Sequence, residues 1–192
     1  MSRRRQLGTM FVLAALCASA LAFAAAPSAP SAKGKPAADK AAKIKKGEYL
    51  TTIMGCNDCH TPGTMYGAPD MDRKLSGSEL GWKGPWGVSF ARNLTPDSET
   101  GIGYYSEDEI VHSFRTGMKP NGTPMLPPMP WPNFAAMSDE DLHAIAAYLL
   151  SLKPVKHAVP EAVPPGKPWS GPVLELPPPP AWDAPRTPPA GK

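Results

Sequence analysis

Cysteine is scarce in this chain, 3 residues in 192, and only Cys56 and Cys59 are spaced as a pair. A structural zinc site draws on about four nitrogen or sulfur ligands, and no second cysteine pair exists to complete one. A βαβ pattern is also missing, which counts against a thioredoxin-like dithiol. Positive charge is not in surplus once the N-terminus is set aside. The chain has 20 Lys and Arg against 17 Asp and Glu, but three of those arginines fall in residues 1 to 24. Between Glu48 and Lys153 the balance is acidic, 7 Lys and Arg against 13 Asp and Glu, which argues against nucleic acid as a partner. One long apolar run exists, Met10 to Ala26, and it is alanine-rich and short of the ~20 strongly apolar residues of a good membrane span. Strand signals are sparse, and no internal repeat is present.

That apolar run follows Arg3-Arg4-Arg5 and leads to the small-residue site Ala22-Phe23-Ala24, so residues 1 to 24 read as a secretory signal peptide that sends the chain to the periplasm. An uncleaved anchor is the alternative. Cys17 lies inside the run, and Leu16 before it is not the small residue a lipoprotein site wants. Residues 25 to 42 are almost all Ala, Pro, Ser, Gly and Lys and read as a linker, unable to bury enough apolar surface to offset the entropy of ordering. Its lysines form a solvated tether. At the other end, 13 prolines in the 39 residues from Pro154 to Lys192 make residues 159 to 192 an extended or disordered tail. Trp169, Leu174, Leu176 and Trp182 in that tail are apolar anchors for the domain or for a partner. Residues 43 to 158 remain as one domain.

What the domain does contain is Cys56-Asn57-Asp58-Cys59-His60. Two thiols three positions apart can add to the two vinyl groups of one haem, and the histidine that follows can reach the iron. A single such motif predicts a single covalent haem c. Ile44, Tyr49, Leu50, Ile53 and Met54 give residues 41 to 55 a helical apolar side leading into it. From Thr64 to Thr100 no period is sustained, a length of loop that a compact domain tolerates when something else, here a buried haem, holds it. Ser106-Glu107-Asp108-Glu109 is a capping box, with Ile110, Val111 and Phe114 behind it and Gly117 as a stop. A similar start at Ser138 is followed by Leu142, Ile145, Ala146 and Leu149 on one stripe, up to Lys153-Pro154. The expected fold is all-α.

With His60 on one side, the iron needs a second protein ligand for electron transfer or an open position for gas binding or catalysis. His112 and His143 fall within predicted helices near charged residues, and His157 lies in the proline-rich stretch that begins at Pro154 and leads into the tail. Methionine 129 is the leading candidate, because Pro127-Pro128-Met129-Pro130-Trp131-Pro132 stiffens the backbone around a weak thioether ligand. Met125 is second and Met118 third.

Taken in order, Gly55 to Pro62, Asn93-Leu94-Thr95-Pro96-Asp97, Thr100-Gly101-Ile102-Gly103, Phe114 to Gly117, Met129-Pro130-Trp131 and the last helix resemble a class I c-type cytochrome. The set is most similar to the haem domains in cytochrome subunits of periplasmic dehydrogenases. The resemblance implies a small cytochrome c fold, first and last helices that cross, Met129 as the axial methionine and a 100 to 103 loop near the haem. It also implies propionate contacts from Arg115 and Trp131. Such subunits commonly carry three domains, whereas one motif is present here. Many class I domains place a Gly-Pro pair whose carbonyl holds the histidine ring, and here only Pro69 or a nearby carbonyl is available for that role.

The resulting expectation is a mono-haem electron carrier, not an enzyme, working between a dehydrogenase donor and a cytochrome or oxidase acceptor. It would touch the membrane only through a partner or an uncleaved signal. Two alternatives stand beside it, a haem sensor or enzyme with an open sixth position, and a dithiol redox protein using Cys56 and Cys59.

Overall fold

The computed structural model describes residues 35 to 176. The expected signal peptide, most of the expected linker, and the tail beyond residue 176 with Trp182 lie outside the described residues. Five helices are present, α1 (Lys35–Ile53), α2 (Cys56–His60), α3 (Glu107–Thr116), α4 (Trp131–Phe134) and α5 (Asp139–Ser151). Three short strands accompany them, β1 (Gly81–Gly84), β2 (Gly87–Phe90) and β3 (Val173–Glu175).

The core forms where α1 and α3 pack on α5. Leu142, Ile145 and Leu149 of α5 are at most 2% exposed, and each such burial is worth about 2 kcal/mol. They meet Leu75, Ile110 and Phe114, and the last of these packs edge-on against Phe134 with ring centroids 5.5 Å apart. The first and last helices press together at Gly47, where a Cβ would sit 1.9 Å from the Ala144 carbonyl oxygen. Only glycine permits that approach.

Local signals placed α3 and α5 well. Ser106 Oγ accepts from the Glu109 N–H at 3.2 Å while Glu109 accepts from the Ser106 N–H at 2.8 Å, closing the capping box. Gly117 ends α3 at φ 69°, a conformation that suits glycine. Ser138 Oγ caps α5 by accepting from the Asp141 N–H at 3.1 Å.

The expectation of an all-α fold needs correction, because a three-stranded sheet of order β2-β1-β3 stands beside the helices. β1 and β2 are antiparallel, whereas β3 runs parallel to β1 and reaches it from the proline-rich segment. Strands of three or four residues show no readable alternation, and β2 is buried at all four positions. A small second core of Val88, Phe90 and Val159 fills the space behind it, with Trp169 edge-on to Phe90 at 5.0 Å. Two boundaries also differ. Helix α1 begins at Lys35, inside the expected linker, and residues 159 to 176 of the expected tail lie along the domain rather than away from it. No helix among the described residues is long and apolar enough to cross a membrane.

Candidate haem-binding site

Helix α2 is a single short turn that places Cys56 and Cys59 one turn apart and ends on His60. Its exit is fixed by polar groups that are themselves buried. Thr61, 1% exposed, donates its hydroxyl to Asn57 Oδ1 at 2.9 Å and accepts the Leu75 N–H at 2.9 Å. The His60 carbonyl accepts from the Gly77 N–H at 2.7 Å.

His60 is 8% exposed, and its Nδ1 lies 2.7 Å from the Arg92 carbonyl oxygen. A carbonyl can only accept, so Nδ1 carries the proton and Nε2 keeps its lone pair. Burial lowers the pKa of the ring, opposed by the Arg92 hydrogen bond, and the imidazole is therefore neutral at pH 7. The carbonyl that orients this histidine comes from 32 residues downstream, not from the neighbourhood of Pro69. Asn93 fixes its position. That side chain, 2% exposed, donates to the Val155 carbonyl at 2.8 Å and to Thr100 Oγ1 at 3.1 Å, and accepts from the Thr95 N–H at 2.9 Å.

A cavity of about 790 Å³ opens beside these groups, within the size range of pockets that engulf a cofactor. Cys56, Cys59, His60, Met125 and Met129 all line it, as do Gly101 and Ile102 of the loop expected near the haem. Both cysteines are free. Burial pushes the Cys56 thiol up to about 11 and raises that of Cys59 as well, with Asp58 adding to both. A redox dithiol needs the opposite, a thiol pKa lowered toward neutrality, so the dithiol reading does not suit this environment. Two thiols, a histidine with a free Nε2 and a thioether facing one largely apolar space do suit a haem, and these residues fit that group.

The other methionine and histidine candidates separate cleanly. Met118 is 38% exposed and lies outside the cavity lining. Met125 and Met129 both remain, and Met129 alone of the two also packs against the main core. His112 is exposed, His143 lies 3.6 Å from Glu107, and His157 is bound between the Ser76 carbonyl and Glu79. None of the three lines the cavity. Among the described residues no group of three or more His, Cys, Asp and Glu could hold a free metal ion.

Arg115 and Trp131 do not line the cavity, contrary to what the resemblance implies. Arg115 donates to the Ala135 carbonyl and to Asp139, tying α3 to the start of α5, while the Trp131 ring lies over Gly117. The cations that do line it are Arg92 and Lys119, which sequence reasoning missed. Burial lowers the Lys119 pKa, and the nearby Arg92 lowers it further against the opposing pull of Glu161. Arg92 directly precedes the Asn93-Leu94-Thr95-Pro96 motif, the one sequence signal that could have drawn attention to it.

Comparison with known proteins identifies the family. The family model described as Cytochrome c matches residues 44–153. The chain is 37% identical over 115 residues to the "Alcohol dehydrogenase (quinone), cytochrome c subunit" of Gluconobacter oxydans, covering 59% of this chain and 22% of that protein. It is 38% identical over 118 residues to the "Gluconate 2-dehydrogenase cytochrome c subunit" of Pantoea cypripedii, covering 61% and 25%. The "Fructose dehydrogenase cytochrome subunit" of Gluconobacter japonicus is 29% identical over 121 residues, covering 62% and 24%. The matched part spans about a quarter of the length of these relatives. With more than half of the chain matched by one family model, the protein belongs to the cytochrome c family.

Proposed function

We propose that this chain is a mono-haem c-type cytochrome that relays single electrons in the periplasm between a dehydrogenase and a downstream respiratory acceptor. It is an electron-transfer subunit or carrier, not the catalytic component. The relatives named as cytochrome subunits of dehydrogenases support the donor class. When bound, haem c supplies a one-electron ferric/ferrous couple.

The chain's own residues do the rest. Cys56 and Cys59 would hold the group covalently, and His60, oriented by the Arg92 carbonyl, would offer Nε2 to its iron. Met129 would offer its thioether as the second ligand, which would raise the reduction potential relative to a second histidine. Ile110, Phe114, Ile145 and Leu149 on the cavity wall exclude water. Arg92 and Lys119, the cations on the cavity wall, would offset the negative charge of the haem carboxylates, whereas Arg115 and Trp131 do not line the cavity.

The observation that carries this reading is the shared cavity, which gathers Cys56, Cys59, His60 and Met129 from segments seventy residues apart in the chain. Haem staining of the protein on a denaturing gel tests the covalent attachment. Carbon monoxide then tests the sixth position. The reduced wild type binds it poorly, Met129→Ala binds it rapidly, and Met125→Ala behaves as wild type. Tight binding to the wild type would favour a sensor or enzyme with an open site, and an effect of Met125→Ala alone would move the ligand to residue 125.

A further inference from the structure

Arg92 makes two kinds of contact at once. Its backbone carbonyl accepts the ring N–H of His60, and its guanidinium donates to the carbonyls of Val159 at 3.3 Å and Pro160 at 2.9 Å and to the Glu161 carboxylate at 2.8 Å. The neighbouring Asn93 grips the same chain end further up, through the Val155 carbonyl. The backbone that orients the histidine is thus held by the segment that follows α5. That segment has its own distant anchor, because Val163 and Val88 exchange both backbone hydrogen bonds at 2.8 Å. Between the two anchors, Pro160, Glu161 and Ala162 form part of the cavity wall.

The Arg92–Glu161 ion pair cannot carry this connection alone, since the Glu161 side chain is 85% exposed and exposed pairs contribute little. The two carbonyl bonds are different. Both are donated by Nη1, and with Nη2 on Glu161 the planar guanidinium holds the segment in a fixed fork that a lysine ammonium cannot reproduce.

We infer that residues 159 to 163 form a strap whose grip on the Arg92 side chain sets the orientation of the His60 ring, so that loosening the strap turns the ring. Arg92 is in this sense a positioning residue. The inference rests on His60 serving as the axial ligand proposed above.

The test uses the full-length, haem-loaded protein and two variants. Val163→Pro removes the backbone donor of the distant anchor without touching His60 or Arg92. Arg92→Lys keeps the positive charge but loses the fork. Two readouts are taken. Amide exchange at Val88 reports strap opening, and the spread of haem-methyl proton shifts in the oxidised state reports the plane of the axial imidazole.

Both variants are expected to speed Val88 exchange at least tenfold and to move the methyl pattern in the same direction. Faster exchange with a wild-type methyl pattern overturns the inference, and so does unchanged exchange in both variants. Should Val163→Pro fail to fold, Arg92→Lys decides alone on the same two readouts. Absence of covalent haem from the wild type would instead defeat the proposed function, and Val88 exchange would still report whether Arg92 holds the strap.

Discussion

The two walls of the cavity that carry His60 and Met129 are built in different ways. Around the histidine, Thr61, Asn93 and Thr95 are each at most 2% exposed and bond one another's segments through side chains. The methionine loop has no comparable buried polar network. Pro124, Pro127, Pro128 and Pro130 are all exposed, and the loop is held by backbone bonds such as Met125 N–H to the Gly117 carbonyl at 2.7 Å. One side-chain anchor reaches it from the sheet, the Ser89 hydroxyl donating to the Pro127 carbonyl at 2.5 Å. The lesson is an asymmetry of cost. Breaking the histidine wall strands buried polar groups, whereas opening the methionine loop mostly re-exposes groups that water can satisfy.

Asn93→Ala should show the larger side of that asymmetry. It leaves the buried Thr95 N–H without its acceptor and the Val155 carbonyl with only the Thr95 hydroxyl at 3.3 Å, and a loss of about 3 kcal/mol is expected. The check is the urea midpoint of global unfolding, which should fall together with the haem Soret transition as one event. A loss below about 1 kcal/mol would mean that water replaces Asn93, and the contrast between the two walls would fail.

Ser89→Ala probes the other wall and should cost about 1 kcal/mol, the value of a typical hydrogen bond. Its signature is the order of events rather than the size. In urea, the absorbance band that the proposed Met129–iron ligation would give should disappear before the far-ultraviolet helix signal does, and the gap should widen relative to wild type. Coincident transitions in both proteins would show that the methionine loop and the core unfold as a single unit.

The same contrast governs what the sequence made readable. Helices α3 and α5 were legible because a cap and an apolar stripe are local patterns, and Ser106, Glu109, Gly117 and Ser138 do what their types suggest. The start of α1 was hidden by composition. Lys35, Pro36, Ala37 and Ala38 look like linker, yet proline is tolerated in a first turn and alanine is the best helix former. The strands were illegible for another reason, since β3 finds its partner β1 about ninety residues back in the chain and has only three residues with which to signal it. Within the site, Cys56, Cys59 and His60 form a contiguous motif that a short window displays. Arg92 and Lys119 belong to no such spacing pattern. Their place on the cavity wall depends on a chain path that no short window contains.

The smallest effect concerns Asp97, which braces the loop of Thr100 to Gly103 on the histidine side. Its carboxylate accepts from the Thr100 hydroxyl at 2.8 Å and from the Thr100 and Glu99 N–H groups at 2.7 and 3.1 Å, and its pKa is lowered, chiefly by Thr100. A carboxyl with a depressed folded-state pKa binds fewer protons in the folded protein than in the unfolded one. Its stabilisation is therefore fully present above the unfolded value of 3.8 and is lost as the pH falls through the lower folded value. Asp97→Asn should remove that dependence, so the wild-type and variant melting temperatures should differ near neutral pH and converge as the pH drops below the lowered folded-state pKa. Because the carboxylate is open to solvent, high salt should shrink the difference only in the part owed to Lys156, leaving the hydrogen-bonded part intact. A difference that stays constant down to the lowest pH would place the effect in loop geometry rather than in charge.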